Sequence, residues 1–515
     1  MLEWFYTVIE TLPDKAWTYQ ALAMFCHDRH PKIALAAYGH AIACNPNQPE
    51  LLMRAAGVAV KLGEWAIAKD FYYQTIGLLP NRPEGFYNLG RMADEAEENH
   101  RAVVLYSQAL MRDPNSVLTY FSLGDAWGRL GDWQRALATY QATQQPQFPQ
   151  VADSWARQGY ALVQLGDLGG AIAAYDQALA IAPDSVKHHC AVALPLLTAG
   201  QWRRGWTEYE WRLRQEFYGE IRTECQPRWQ GEDLTGKTIL VRSEQGLGDT
   251  IQFCRYLPRL KAMGTRLIFR GRSPLRDLVM TVGEARDDER KCIDEFVDWD
   301  TPLTEVTYDV AVPLMSLPQY FAPEPAIAQE TTEAQPVYLQ VPPSTQSFKL
   351  PAPRPETIKK VGLVWASGYR DLPELIEQYR QKTCDLAALM QGIEQPDIQY
   401  YSLQVGRDVS AGEPFYGDSR LIDLSDRLTC FSETAAAIAQ LDLVISVDTA
   451  VAHLAGALGK PVWILLPWAA DWRWLRDRSD TVWYTSARLF RQPKLGDWES
   501  VYQAVARALA QDFLT

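Results

Sequence analysis

The chain has 515 residues, 47% of them hydrophobic, with 50 basic against 63 acidic side chains and a formal net charge of −13. Its length predicts about three domains with substantial hydrophobic cores. The acidic balance argues against an open surface for nucleic acid or for an anionic membrane, although it allows a local basic pocket. The eight cysteines are scattered without a CxxC pair or Cys/His ligand spacing, so we expect reduced thiols and no metal site.

The sequence predicts neither a secretory signal nor a membrane span. The opening residues, MLEWFYTVIETLPD, lack a basic segment followed by a long apolar one. Apolar runs elsewhere are too short to cross a bilayer. We therefore expect a cytoplasmic protein.

The first half of the chain is an internal repeat. A small residue followed four places later by tyrosine recurs at offsets of 34, 34, 34, 35 and 34, at Ala34/Tyr38, Ala68/Tyr72, Ala102/Tyr106, Ala136/Tyr140, Ala171/Tyr175 and Gly205/Tyr209. Prolines and glycines recur in the same phase. The pattern resembles the tetratricopeptide repeat, a helix–turn–helix unit of about 34 residues, over roughly residues 14–217. This resemblance implies a solenoid whose concave groove binds peptides or proteins.

The last repeat is irregular. Pro195 is predicted to interrupt its first helix, and residues 205–214 (GWTEYEWRLR) are aromatic and basic. We interpret this unit as a capping repeat that docks onto the following region. Its adjacent histidines, His188 and His189, are either metal ligands or packing and surface residues, and the second interpretation is the simpler one.

After Trp229 the pattern changes to strands alternating with helices, which predicts parallel sheets with helices on both faces. The first series has strands at 238–243, 266–270, 295–297 and 308–312, with a helix at about 250–263. A stretch rich in Pro, Ala, Glu and Thr at 321–357 predicts a linker with one candidate strand at 337–341. The second series has strands at 361–365, 399–403, 443–447 and 462–466, with helices at 432–441, 450–458 and 498–513.

Two such lobes separated by a linker predict a ligand site in the cleft between them, because ligands of open α/β sheets bind beyond the carboxyl ends of the strands. The predicted domains are a repeat solenoid with its capping repeat at 1–226, a first lobe at 227–335, a second lobe at 336–496 and a closing helix at 497–515.

The segment Leu443 to Pro461, LVISVDTAVAHLAGALGKP, predicts a strand that leads directly into a short helix. Asp448 and Thr449 can cap this helix, and Gly459 ends it. Unpaired N–H groups at a helix start, together with the helix dipole, favour an anion. Phosphate is therefore the first ligand hypothesis for this element.

Other candidate residues allow two interpretations each. The turn from Gln245 to Asp249 is neither a Walker loop nor a complete GxGxxG, and Asp249 is either a helix cap or a general base. His453, one helical turn after Thr449, lines the site or packs in the core. Lys382, near the start of a predicted helix, meets phosphate or is solvated. An aromatic stretch packs, or stacks on a base or sugar; its members are Trp468, Trp472, Trp474, Trp483 and Tyr484.

Taken jointly, these motifs resemble a known family. GLGDTIQFCRYLP (246–258) is similar to the first-lobe motif of bacterial heptosyltransferase-type glycosyltransferases, and SVDTAVAHLAGALGKPV (446–462) is similar to their nucleotide-diphosphate motif. The whole order, including Trp206-Tyr209-Glu210-Trp211 and Asp471-Trp472-Arg473-Trp474, resembles bacterial tetratricopeptide-repeat proteins with a glycosyltransferase-like domain. Protein O-GlcNAc transferases are more distantly similar. The resemblance implies an α plus α/β chain, with a repeat solenoid followed by a GT-B fold of two Rossmann-like lobes.

The resemblance also implies roles for individual positions. Asp249 matches the general base on the acceptor hydroxyl, and Lys382 a basic residue that meets phosphate. The donor motif is matched by Asp448, Thr449 and His453, with the N–H groups of Thr449, Ala450 and Val451 facing the diphosphate. The candidate cleft further includes Gln245, Gly246, Gly248, Gln252, Trp468 and Arg473. Residues 368–383 depart from the Asn- and Arg-containing pattern of the family.

The implied function is transfer of a sugar from a nucleotide-diphosphate donor to a protein or glycan acceptor recruited by the repeats. No cofactor or metal is expected, because a helix N-terminus and a cation can stabilise the leaving diphosphate. Two alternatives stay open: a catalytically silent scaffold that binds a nucleotide or buttresses the solenoid, and a nucleotide-sugar epimerase of the same two-lobed class.

Overall fold

The computed structural model describes residues 15–145, 148, 151–283, 291–321, 337–368, 373–416 and 420–513. The chain divides into two compact units, Met1–Pro183 and Asp184–Thr515. The predicted boundary at 335/336 and residues 369–372 of the atypical segment 368–383 lie outside the described residues.

The described part of the first unit consists of paired helices. In chain order these are α1 (Lys15–Cys26), α2 (Pro31–Cys44), α3 (Pro49–Lys61), α4 (Trp65–Leu78), α5 (Glu84–Glu95), α6 (Asn99–Arg112), α7 (Val117–Arg129), α8 (Trp133–Ala142), α9 (Ala152–Leu165) and α10 (Leu168–Ile181). The repeat tyrosines are buried at the contact between the two helices of a pair, as Tyr106 is beside Gly90. The helical repeat architecture predicted from the 34-residue period is confirmed.

The sixth helix pair, counted over the described residues, belongs to the second unit. It comprises α11 (Val186–Thr198) and α12 (Trp202–Tyr209), followed by a 3₁₀ turn (Glu210–Arg214) and α13 (Gly219–Glu224). The predicted interruption at Pro195 is wrong, because α11 continues through it. Pro195 lies in the last turn of the helix, where its missing N–H removes a single backbone hydrogen bond.

The first sheet of this unit has four parallel strands in the order β3-β2-β1-β4. They are β1 (Thr238–Arg242), β2 (Arg266–Gly271), β3 (Glu295–Asp298) and β4 (Val310–Pro313). The accompanying helices are α14 (Leu247–Phe253), α15 (Leu257–Lys261), α16 (Arg276–Val279) and α17 (Leu317–Phe321). The predicted single helix at 250–263 is therefore wrong. A 3₁₀ turn, Cys254–Tyr256, separates α14 from α15 just before Pro258, which has no N–H to continue the helix.

The second sheet has six parallel strands in the order β10-β9-β8-β5-β6-β7. They are β5 (Lys359–Val364), β6 (Ile398–Ser402), β7 (Leu421–Asp423), β8 (Leu443–Val447), β9 (Val462–Leu466) and β10 (Ala487–Arg491). The accompanying helices are α18 (Pro373–Lys382), α19 (Leu386–Ile393), α20 (Glu413–Tyr416), α21 (Phe431–Ala439), α22 (Ala450–Ala457) and α23 (Trp498–Ala508), the last extended by a π-helical turn, Leu509–Phe513. The predicted class, helical repeats followed by two parallel-sheet lobes, is confirmed.

Two differences from the sequence prediction affect this lobe. The candidate strand at 337–341 is wrong: the N–H groups of Tyr338 and Leu339 donate to the carbonyl of Ala457 at the end of α22 instead of joining a sheet. Lys382 ends α18 and does not begin a helix. All eight cysteines are free thiols.

Candidate active site

The site lies where β1 and β8 each lead into a helix. Strand β8 is buried along its whole length, as is most of β1. Helices α14 and α22 follow these strands and contact each other. Gly248 makes this approach close: a Cβ there would lie 3.1 Å from Cδ2 of His453 and 3.3 Å from Cα of Ala450. The two motifs of the sequence are thus adjacent in space.

Asp249 closes the start of α14. Gly246 is the N-cap in extended conformation, and Oδ2 of Asp249 accepts a hydrogen bond from its N–H at 2.7 Å. Oδ1 of Asp249 accepts from Nη2 of Arg473 in the second lobe. Burial raises the pKa of Asp249 above its ordinary range, and the Arg473 charge and the Gly246 N–H offset this only in part. The carboxylate keeps 19% of its side-chain surface exposed.

The start of α22 has no comparable cap. Thr449 is the N-cap residue, with φ −140°, but its side chain makes no capping hydrogen bond. Its Oγ1 is instead 2.9 Å from Oγ of Ser446. The opening N–H groups of α22, including those of Ala450 and Val451, therefore donate no hydrogen bond to the cap side chain. They are left to donate to a bound anion.

Asp448 joins α18 to this turn. Its Oδ2 accepts from Nζ of Lys382 at 2.7 Å, and its Oδ1 lies 4.0 Å from Nε2 of His453. Burial alone would raise the pKa of Asp448, but the Lys382 charge and smaller effects of His453 and Arg473 lower it to about 2. The carboxylate is thus ionised at neutral pH, and the opposing charge of Asp448 raises the pKa of Lys382 against the effect of its own burial.

His453 is held as a neutral ring. Its Nδ1 is 2.9 Å from the hydroxyl of Tyr484, and the ring stacks on Trp474 with centroids 5.3 Å apart. Burial lowers the pKa of His453 to about 3, against the opposing effect of Asp448. The side chain both packs and borders the turn, so the two interpretations offered by the sequence are compatible.

Arg473 connects the two lobes. Beyond its bond to Asp249, its Nε donates to Oε1 of Gln252 at 2.7 Å and its Nη1 to Asp471 at 2.8 Å. Gln252 is fully buried, and its Nε2 has no hydrogen-bond partner within the part of the chain that the structure describes. The site therefore contains two cations, Lys382 and Arg473, each paired with a carboxylate.

Two of the predicted cleft residues have other surroundings. Gln245 donates from Nε2 to the hydroxyls of Tyr209 at 2.7 Å and Tyr218 at 2.8 Å. The ring of Trp468 lies under Arg476, 4.5 Å from the guanidinium carbon. The structure thus brings together Asp249, Gln252, Gly248, Asp448, Thr449, His453, Lys382 and Arg473, and directs Gln245 toward the last helix pair.

Sequence reasoning named Asp471 and Tyr484 within larger motifs but gave neither residue a role of its own in the site. Asp471 caps the short 3₁₀ turn that carries Arg473, and its carboxylate accepts from the Arg473 backbone as well as from its side chain. An acidic residue two positions before an arginine is a local signal for such a cap. Tyr484 reaches His453 only through tertiary packing.

Comparison with known proteins adds two family matches. Residues 87–147 and 128–186 match a tetratricopeptide-repeat model, and residues 427–465 match glycosyltransferase family 9 (heptosyltransferase). The chain combines tetratricopeptide repeats with a heptosyltransferase-like segment. That segment runs from just before α21 into β9 and includes Asp448, Thr449 and His453.

Whole-chain and structural similarities are also found. Protein FlbA of Caulobacter vibrioides is 26% identical over 501 residues, which cover 93% of this chain and 81% of FlbA. Among solved structures, MamA is 19% identical over 33% of this chain and 92% of its own, with a TM-score of 0.31. YrrB, described as a tetratricopeptide-repeat protein with an unusual peptide-binding site, is 23% identical over 36% of this chain and 95% of its own, also with a TM-score of 0.31.

Two features are absent from the described residues, one for metal binding and one for membrane insertion. Groups of three or more His, Cys, Asp or Glu side chains arranged to hold a metal ion are absent from them. Helices long and apolar enough to cross a membrane are likewise absent from the described ranges.

Proposed function

We propose that this chain is a GT-B glycosyltransferase that moves a sugar from a nucleotide-diphosphate donor to a protein or glycan acceptor. The observation that carries the proposal is the meeting of an uncapped helix start, two cations and a partly exposed carboxylate at the contact between α14 and α22. The match of residues 427–465 to glycosyltransferase family 9 supports the same reaction class.

The donor diphosphate is placed at the start of α22. Backbone N–H groups of Thr449, Ala450 and Val451 and the helix dipole favour its negative charge. Lys382, 26% exposed and 2.7 Å from Asp448, is positioned to supply a point charge beside it. His453 is neutral at physiological pH, so it contributes shape and a hydrogen bond without adding charge.

Asp249 is the proposed general base. The acceptor hydroxyl gives its proton to the carboxylate as its oxygen bonds to the anomeric carbon, and the bond from that carbon to the phosphate oxygen breaks with its electrons leaving on the diphosphate. Arg473 neutralises Asp249 in the free protein. A diphosphate at α22 offers Arg473 a competing anion, which frees one carboxylate oxygen and places positive charge on the leaving group. In this scheme Lys382, Arg473 and the helix start take the electrostatic role, without a metal or cofactor.

The repeats are proposed to recruit the acceptor. A cavity of about 480 Å³ in the first unit is lined mainly by α3, including Met53 and Arg54, with Glu84 at the start of α5. Met53→Glu is expected to slow transfer to a macromolecular acceptor several-fold while leaving hydrolysis of the donor by water unchanged. Equal loss of both activities would remove the repeats from acceptor binding.

The direct test follows nucleoside diphosphate release from a panel of nucleotide sugars, alongside thermal shift with ADP, UDP and GDP. A nucleoside diphosphate at a concentration 100 times its dissociation constant is expected to stabilise the protein by about 2.7 kcal/mol. Lys382→Met is expected to weaken that shift, whereas Lys261→Met, which removes a comparable lysine–carboxylate pair with Asp294 in the first lobe, is not.

Each alternative has its own outcome in this assay. A shift without turnover of any donor would indicate a silent nucleotide-binding scaffold. Free nucleotide with an altered sugar and no acceptor requirement would indicate an epimerase. The absence of both thermal shift and donor turnover across the whole panel would overturn the proposal.

A further inference from the structure

Tyr209 occupies the repeat tyrosine position of the last helix pair, but its surroundings differ from those of its counterparts. In three pairs of the first unit the tyrosine ring lies against a glycine: Tyr106 against Gly90, Tyr140 against Gly124 and Tyr175 against Gly159. The position that corresponds to Gly159 in the last pair, 34 residues on, is Ala193. The last pair therefore departs from the repeat pattern where its tyrosine packs.

The Tyr209 hydroxyl holds the turn before Asp249. It accepts from Nε2 of Gln245 at 2.7 Å and is itself 3.9 Å from the sulfur of Met315. Gln245 has φ 59°, a left-handed conformation that costs free energy in a residue with a side chain. It immediately precedes Gly246, whose N–H bonds to the Asp249 carboxylate. The Tyr209 hydroxyl, together with that of Tyr218, thus holds a strained residue in the turn that precedes the proposed base.

The Tyr209 ring contacts the other half of the site. Its centroid lies 6.4 Å from that of Trp472, the residue before Arg473. Trp206, on the same helix, packs edge-to-face on Trp472 at 5.3 Å and on Phe253 of α14 at 6.0 Å. One face of α12 therefore touches both the helix that carries Asp249 and the turn that carries Arg473.

A buried ion pair reinforces this attachment. Nε and Nη2 of Arg212 donate to Glu244 at 3.0 and 2.7 Å, and Nη1 donates to the backbone carbonyl of Tyr209 at 3.2 Å. Glu244 is 1% exposed and directly precedes Gln245. The bidentate geometry orients the turn as well as neutralising its charge.

We propose that Tyr209 is a positioning residue for the pair formed by Asp249 and Arg473, so that the last repeat is a working part of the active site. Its hydroxyl sets the turn before Asp249, and its ring sets the turn that carries Arg473. The catalytic readout of this inference rests on the proposed function, whereas its structural readout does not.

The test compares Tyr209→Phe with Tyr106→Phe, which removes the same hydroxyl at the equivalent repeat position, where it bonds Asp94 at 2.7 Å. Amide hydrogen exchange across residues 245–250 is expected to rise about fivefold in Tyr209→Phe, the factor that one lost hydrogen bond contributes. Exchange across residues 472–474 should not change, because the ring that contacts Trp472 is retained. Tyr106→Phe is expected to leave both segments unchanged.

Turnover gives the second readout. In Tyr209→Phe we expect kcat for nucleoside diphosphate release to fall about tenfold with an unchanged donor KM, since misplacement of reacting groups affects the transition state most. Gln245→Leu should reproduce that loss, and the double variant should lose no more than either single variant.

Two results would overturn the inference: exchange across residues 245–250 of Tyr209→Phe equal to that of the wild type, or additive losses in the double variant. A wild-type protein that turns over no donor would instead remove the proposed function, and the exchange comparison would still decide the role of Tyr209.

Discussion

The two strand-to-helix turns of the site look alike in sequence, but the unpaired N–H groups at their helix starts are treated differently. At α14 the carboxylate of Asp249 reaches back to the Gly246 N–H. At α22 the acidic residue is Asp448, which directly precedes the N-cap Thr449. Its carboxylate accepts from Lys382 and does not cap the helix start. In the first turn the Asp249 carboxylate bonds the N-cap N–H. In the second turn the first N–H groups of α22 have no side-chain cap, and Lys382 lies beside them, bonded to Asp448. One turn is thus suited to hold a base, and the other an anion.

The largest expected effect is the loss of sugar transfer when Asp249, the carboxylate at the start of α14, is substituted. Asp249→Asn keeps the shape and one acceptor for the Gly246 N–H but cannot take a proton, so transfer should fall by about 10² or more. Nucleoside diphosphate release with acceptor present measures this. Asp94→Asn, at a carboxylate paired with Arg129 in the repeats, serves as the control. Activity of Asp249→Asn equal to that control would exclude Asp249 as the base.

The turn at the start of α22 should make the protein sensitive to acid. The pKa of His453 is about 3 in the folded protein and about 6.5 when unfolded, so the unfolded chain binds the extra proton between these values. Stability attributable to His453 is therefore complete above pH 6.5 and is lost as pH falls, by at most about 1.4 kcal/mol per pH unit. Asp448, with a pKa of about 2, adds a further loss below about pH 4.

Urea denaturation from pH 7 to pH 4 measures this slope. His453→Gln removes the titrating ring while keeping a polar side chain of similar reach, and its slope should be shallower than that of the wild type. Parallel curves for the two proteins would contradict a buried neutral His453.

Asp448 should matter for stability more than an exposed carboxylate does. Asp448→Asn weakens a largely buried charge-assisted bond to Lys382 and is expected to cost about 1.5–3 kcal/mol. Asp294→Asn weakens the more exposed pair with Lys261 and should cost about 1 kcal/mol or less. Equal losses in the free energy of unfolding for the two variants, measured by urea denaturation, would contradict a larger contribution from Asp448.

The smallest effect tests how closely the two turns approach. Gly248→Ala places a methyl group 3.1 Å from His453 and 3.3 Å from Ala450, so a loss of about 1 kcal/mol is expected despite the better helix propensity of alanine. Gly39→Ala in α2, where a Cβ meets nothing within 4 Å, should instead stabilise by about 0.5–1 kcal/mol. Stabilisation by both changes would show that the turns can separate.

Much of the fold was predictable because it depends on local periodicity. The 34-residue period indicates helix pairs that must stack to bury their apolar faces. Strands β8 and β9 have the predicted bounds because they are short apolar runs, β8 ended by Asp448 and β9 preceded by the turn from Gly459 to Pro461. The short β7 and the half-polar β10 escaped prediction, since their pairing depends on neighbouring strands. Residues 337–341 have strand composition but bond to the end of α22, a partner that no local pattern reveals.

By itself the sequence determined the helical repeats, the two parallel-sheet lobes and the two turns that carry Asp249 and Asp448, because each follows from spacing within a few tens of residues. Only the tertiary structure decided which charges meet. Arg473 reaches Asp249 across 224 residues of chain, Lys382 reaches Asp448 across 66, and Tyr209 leaves the repeat pattern to hold Gln245. Such pairs depend on the close contact of α14 with α22 and on the packing of α12 against α14 and against the turn that carries Arg473. That geometry exists only in the folded protein.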